Sequence, residues 1–383
     1  MNLFKNKNII DIMNPHLTFL KNDNSLDFTL SGLNVSLANA FRRTILSDIP
    51  LVVFRTTPND KNKCNITANT SRLNNEIIKQ RISSIPIFIK DVDDFPLKNY
   101  IMELNVENTT DTVMIVTTEN FTIKDLISGN VLSKDKTREI FPPDDTTGYF
   151  IDLVRLRPKM SEEMSGEKIV LTCEFEMGTA KEDGMFNSVY TCSYGFTPDI
   201  PAQDAALVKK IQTWKDEGKT EKEIIFETDN WRLLDAKRIY IKDSYDFIIQ
   251  SVGIYTNNET VDFACKILID GFNNIDSIIE KDELEIKTAE NTMSNCFDII
   301  LENEDYTIGK VLEYLLYIKF YETHILTYCG FKKLHPHDTF SIIRVAYKNS
   351  VDKSTIKGNL KECIEIAISI YSNLKTQFSK MQT

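Results

Sequence analysis

Leu26, Phe28 and Leu30 alternate with Asp27, Thr29 and Ser31, the period of a half-buried strand. Gly32 ends the alternation, and Ser36 stands where a hydroxyl can cap the first turn of a helix. Leu37, Phe41 and Ile45 then recur at four-residue spacing before Pro50. The same pattern returns 271 positions later, the distance from Ser36 to Thr307. Leu26, Phe28 and Leu30 fall on Phe297, Ile299 and Leu301, and Leu37, Phe41 and Ile45 fall on Ile308, Leu312 and Leu316. Two matched strand–turn–helix units predict two related halves that pair about a pseudo-two-fold axis.

Each unit is followed by a long amphipathic helix. The first is predicted over about 259–279, with Val261, Ala264, Leu268 and Phe272 on one face. The second spans about 353–378, with Leu360, Ile364, Ala367, Tyr371, Leu374 and Phe378 in register. Between the first short unit and its long helix lies an insertion. It opens with a helix in which Ser71 would cap Leu73, Ile77, Arg81 and Ile85, and continues with β alternations over 113–116 and 169–173. Turns are expected at 141–145 and 196–199. Residues 202–231 become Lys/Glu-rich and helical, anchored by Trp214 and Trp231. The reading is an α+β protein: a first half from 1–54 and 241–280, a β-rich inserted domain at 55–240, an acidic linker at 281–295 and a second half at 296–383.

Composition narrows the function. The 383 residues are 42% hydrophobic and carry a formal charge of −11, which argues against a generally basic nucleic-acid-coating protein. No apolar run approaches the roughly 20 residues needed to span a bilayer, and residues 1–10 lack the apolar core of a leader peptide. The seven cysteines stand far apart in sequence, without the paired spacing of a zinc ribbon, and read as buried reduced thiols. No P-loop, dinucleotide fingerprint or nucleophile elbow is present. Asp91, Asp93 and Asp94 read as a solvated loop and His335-Pro336-His337 as a proline-fixed turn, so no metal or cofactor is expected. Arg42 and Arg43 are either a solvated helix face or fixed donors to a partner's carboxylates. The residues nominate no nucleophile or base.

At these positions the chain resembles a known family. The run 34–50, Asn-Val-Ser-Leu-Ala-Asn-Ala-Phe-Arg-Arg-Thr-Ile-Leu-Ser-Asp-Ile-Pro, is similar to the signature of the alpha-like subunits of multisubunit RNA polymerases. These comprise bacterial alpha, archaeal D and the third-largest subunit of RNA polymerase II. Segments 69–76 and 80–87 match the family's next motif, and Leu156-Arg157-Pro158, Gly178-Thr179-Ala180-Lys181 and 247–253 resemble later ones more loosely. The C-terminal half resembles the small partner subunit of that pair, through 302–312, Cys329-Gly330-Phe331 and His335-Pro336. Tyr306 stands where that family has His, and Lys310 where it has Asn.

The resemblance implies an alpha-like dimerisation fold, a sheet with two long helices, in two copies within one polypeptide. Linkage of that kind raises the effective concentration of the second half to roughly the millimolar range. It implies a non-catalytic assembly platform for a DNA-directed RNA polymerase, with the largest and second-largest subunits and small polymerase subunits as partners and DNA reached only through the holoenzyme. Asn39, Arg42, Arg43, Glu76 and Arg81 would dock the other subunits. Leu37, Phe41, Ile45, Ile308, Leu312, Leu316, Leu360, Ile364 and Tyr371 would join the halves. Single-chain fusions of this type, with an Asn/Ile/Lys-rich composition, point to a large DNA virus. The expected location is then the viral factory in host cytoplasm and the virion, and otherwise the nucleus. The competing readings are a free-standing regulator that mimics the pair and sequesters polymerase subunits, and an unrelated enzyme.

Overall fold

The computed structural model describes residues 14–380 apart from 23, 93, 160, 162–164 and 291. Residues 1–10, read for a leader, and Asp93 of the acidic trio lie outside the described residues. The chain forms two compact units. One contains the described residues of Met1–Ile45 with Thr191–Gln250 and Asn257–Thr383; the other contains Leu46–Tyr190 and Ser251–Thr256.

The first unit runs β1 (His16–Asn22), β2 (Leu26–Ser31), α1 (Val35–Ser47), β3 (Val189–Pro198), α2 (Ile200–Asp216), α3 (Glu221–Leu233) and β4 (Tyr240–Ser251). It continues with α4 (Asn257–Glu280), β5 (Ile286–Thr288), β6 (Cys296–Glu302), α5 (Tyr306–Leu316), β7 (Leu326–Lys332), β8 (Phe340–Tyr347) and α6 (Lys353–Lys380). Two four-stranded sheets result, ordered β1-β2-β4-β3 and β5-β6-β8-β7. In each, the second strand leads into a short helix and the third-placed strand leads into a long one. In β2 the expected alternation holds, with Leu26, Phe28 and Leu30 buried opposite Ile249, Phe247 and Tyr245 of β4. In β6 it does not. Ile299, Ile300 and Leu301 are all buried while Phe297 is half-buried, its ring edge-on to Tyr347. Ile300 donates its N–H to the Glu285 carbonyl and sits by Ile278 and Leu284, so the end of α4 and the residues following it cover that side of the strand.

Both predicted caps shift by two residues. The Ser36 N–H donates to the Asn34 side chain at 2.9 Å, and the Thr307 N–H to Asp305 at 2.8 Å. A side-chain carbonyl or carboxylate reaches the second free N–H of a helix as well as a hydroxyl does, and the chain places Asn34 and Asp305 first. They are again 271 positions apart.

The boundaries also differ from the sequence reading. Residues 191–240, expected in the insertion, fold with the first unit, because β3 hydrogen-bonds beside β4. The expected turn at 196–199 is the end of β3, followed by Asp199 capping α2. The expected linker contains β5, antiparallel to β6, with Ile286 buried. A short strand with one apolar anchor carries no periodicity to read.

The long helices begin within two residues of expectation, or at it, and run antiparallel. Phe272 stacks on Tyr371 at 6.1 Å, Lys375 pairs with Asp262 at 3.2 Å, and Lys361 pairs with Glu280 at 3.0 Å. Such exposed pairs contribute roughly 0–1 kcal/mol each, so they set register more than stability. The apolar stripes carry the energy, at about 25 cal/mol per Å² buried. Phe378 of α6 crosses onto the first sheet, 5.1 Å from the Phe28 ring and 6.4 Å from Phe41. Trp214 and Trp231 join α2 to α3 in a small cluster with Leu207 and Ala236.

In the second unit, Cys64–Asn69, Lys168–Glu174, Tyr100–Glu107 and Thr122–Asp125 form an antiparallel sheet in that order. Its helix spans Asn75–Ser83 and is capped by Asn74, whose side chain accepts from the Ile77 N–H. Ser71 instead bonds Asn69, and the buried face is Ile78 and Ile82 while Ile77 and Arg81 are exposed. The expected cap and stripe were each displaced, because Asn74 is the nearer side chain to the first turn. Arg55, almost wholly buried, donates to Glu176 at 3.0 Å, Glu182 at 2.8 Å and the Met177 carbonyl at 3.1 Å.

Candidate subunit-docking surface

On α1, Arg42 and Arg43 follow one another and therefore project about 100° apart around the helix. Arg42 turns toward Asn39, whose side-chain oxygen accepts from both Nε and Nη2 at 3.0 Å. Its positive charge opposes the burial that pushes the Cys192 thiol up to about 12 and the Tyr194 hydroxyl upward, so it lies by β3. Arg43 turns the other way. Its Nε donates to the Thr307 hydroxyl at 3.0 Å and its Nη2 to the Asp305 carboxylate at 2.9 Å. Asp305 thus caps α5 with one oxygen and receives Arg43 with the other. The anionic cap suits the positive end of the α5 dipole, and Arg43 balances it.

A related placement occurs on the other side. Arg43 and Tyr314 are 271 positions apart, and Tyr314 on α5 lies near enough to the Asn34 side chain that caps α1 for that side chain to act on its hydroxyl. Burial pushes the Tyr314 hydroxyl up to about 12, helped by the charges of Asp243 and Glu322 and opposed by Asn34. Each short helix therefore sends a side chain to the other's N-terminus.

All the residues read as joining the halves are buried: Leu37, Phe41, Ile45, Ile308, Leu312, Leu316, Leu360, Ile364 and Tyr371. The Tyr371 hydroxyl donates to the Leu37 carbonyl at 3.0 Å, tying α6 to α1. Of the residues read as docking contacts, Asn39 and Arg42 come together, whereas Arg43 faces α5. Glu76 and Arg81 belong to the second unit, both exposed, with Arg81 donating to the Asp152 carbonyl at 2.7 Å. Tyr306 packs edge-on against Phe331 at 5.1 Å, and Lys310 pairs with Glu313 at 2.5 Å. Asn34, Asp305 and Tyr314 were not singled out from the sequence, although the 271-residue offset would have flagged them together.

His335 and His337 share a turn closed by Asp338, which accepts from the His335 N–H at 2.9 Å. Among the described residues, no cluster of three or more His, Cys, Asp or Glu is arranged to hold a metal. No described helix is long and apolar enough to cross a membrane.

The sequence pattern of the RNA polymerase Rpb3/Rpb11 dimerisation domain matches residues 27–272, well over half of the chain. The chain belongs to that family. It is 24% identical to the DNA-directed RNA polymerases I and III subunit rpac1 of Dictyostelium discoideum, over 73% of this chain and 84% of that protein. It is 24% identical to the DNA-directed RNA polymerase subunit Rpo3 of Pyrococcus horikoshii, covering 65% and 91%. The subunit RPAC1 of Homo sapiens is 26% identical, covering 64% and 79%. The family match starts in β2 and ends within α4, so β6, α5 and α6 lie outside it.

Proposed function

We propose that this Rpb3/Rpb11-family chain is a non-catalytic assembly subunit of a DNA-directed RNA polymerase, and that it carries both members of an alpha-like pair in one polypeptide. The family match over 27–272 carries the first part. The second is supported by the parallel order of the two sheets and by the exchange of side chains between Asn34, Arg43, Asp305 and Tyr314. In this reading Asn39 and Arg42, with Glu76 and Arg81 of the second unit, dock the large subunits, and Arg43 serves the pairing of the halves. The chain works where its polymerase transcribes. A viral source, with residence in the viral factory and virion, belongs to the same proposal and rests on composition and single-chain organisation.

The test is recovery of the tagged full chain from its own cells. Co-recovery of the two largest polymerase subunits, with template-dependent RNA synthesis in the eluate, is the expected result. Recovery of those subunits in a form that makes no RNA would instead favour a sequestering regulator.

A further inference from the structure

Cys64 and Cys173 stand opposite one another in the second unit, on the antiparallel strands Cys64–Asn69 and Lys168–Glu174. One step along, the Glu174 N–H donates to the Lys63 carbonyl at 3.1 Å, while the Cys64 N–H is taken by the Asn62 side chain. Positions in an antiparallel ladder alternate between hydrogen-bonded and non-hydrogen-bonded pairs. Cys64 and Cys173 are therefore a non-hydrogen-bonded pair, in which Cα atoms approach to about 4.5 Å and side chains are closest. That spacing lies within the roughly 4.4–6.8 Å a disulfide requires. The two thiols are near enough that each shifts the other's ionisation.

Both residues are buried, yet a pocket of about 260 Å³ opens beside Cys64 between Lys63, Asn75, Lys79 and Glu174. A reagent the size of water fits such a space. The adjoining Cys173 thiol and the nearby Lys79 ammonium hold the Cys64 thiol below its ordinary range, while burial pushes Cys173 up. Burial pushes Cys192 and Cys329 up as well, to about 12. Cys64 is thus set as the attacking sulfur and Cys173 as the resolving one.

We propose that Cys64 and Cys173 are a hydroperoxide-responsive modification site that closes to a reversible cross-strand disulfide. The Cys64 thiolate attacks one peroxide oxygen, the O–O bond breaks, and the departing oxygen leaves as water after taking up a proton. Cys64 is then a sulfenic acid. The Cys173 sulfur displaces its hydroxyl, the Cys173 proton leaves with that hydroxyl as a second water, and the S–S bond forms. The two sulfurs together lose the two electrons that reduce hydrogen peroxide. The bridge pins an edge strand to a strand 109 positions away, so oxidation raises the unfolding midpoint of the second unit.

The experiment exposes the folded full chain to hydrogen peroxide, then alkylates under denaturation and maps peptides by mass spectrometry. The expected result is a fall from seven free thiols to five, one Cys64–Cys173 cross-link, and recovery with dithiothreitol. Cys173→Ser should leave a sulfenic acid on Cys64 that dimedone traps, and Cys64→Ser should leave Cys173 unmodified. Seven thiols retained, first oxidation at Cys329, or a sulfinic acid on Cys64 beside an untouched Cys173 would each overturn the proposal. The wild-type map decides alone should either variant fail to fold.

Discussion

Arg43 of α1 donates to Asp305, the cap of α5, at 2.9 Å across 262 positions of chain. Tyr314, 271 positions beyond Arg43, lies near Asn34, the cap of α1. A residue whose sequence context suggests an outward-facing docking arginine is thereby engaged within its own unit. The arginine beside it is not engaged in the same way, and the pair can be separated experimentally.

Arg43→Ala removes the guanidinium hydrogen bonds to Thr307 and to Asp305, the latter within an ion pair, from a half-buried site. About 1–2 kcal/mol of stability should be lost, since the side chain of Arg43 is 35% exposed and that of Asp305 23%. Denaturant unfolding measures it. A cycle with Asp305→Ala should return a coupling of about 0.5–1 kcal/mol, and strict additivity would show that the two side chains do not act together.

Arg42→Ala should behave in the opposite sense. Its partner is Asn39 on the same helix, so the fold should change by no more than about 0.5 kcal/mol. If Arg42 pairs with a carboxylate of a large subunit, capture of that subunit should weaken by about 2–5 kcal/mol. Wild-type capture over a range of salt would leave Arg42 as ordinary surface.

Phe378→Ala should cost about 3–5 kcal/mol, because the ring lies among Phe28 and Phe41 and is itself buried. The same contact predicts that residues 1–280 and 281–383, expressed apart, form a 1:1 complex on mixing, since each alone exposes an apolar stripe. Analytical ultracentrifugation settles it. Two soluble, monodisperse pieces that ignore each other would refute the pairing of halves.

Two helix glycines should respond differently to alanine. At Gly309 an added Cβ meets three ring atoms of Phe331, the nearest at 2.0 Å, whereas at Gly271 it meets only the Cδ1 tip of Ile308 at 2.7 Å. Alanine improves helix propensity by about 0.8–1 kcal/mol at either site. Gly271→Ala should therefore be near neutral, and Gly309→Ala destabilising by about 1–3 kcal/mol through overpacking. Thermal unfolding of both variants compares them directly.

The strand of Leu26, Phe28 and Leu30, the stripe of Leu37, Phe41 and Ile45, and the stripes of both long helices were legible in the chain because they are local periodicities. Burial of one face imposes a period of two or 3.6 whatever covers it. The offset of 271 was legible for the same reason, as were the motifs around Arg42 and Arg43. Which side chain caps a helix was not: Asn34 and Ser36, or Asp305 and Thr307, are equally able donors' partners, and the backbone entering the turn chooses between them. Nor was the placement of β3 beside β4, which two intervening helices separate along the chain, or of β5 on β6, because a three-residue strand with one apolar anchor shows no period. The direction of Arg43 and the meeting of Cys64 with Cys173 belong to the same class. Each depends on a partner more than a hundred positions away, and only the folded packing brings the two within bonding distance.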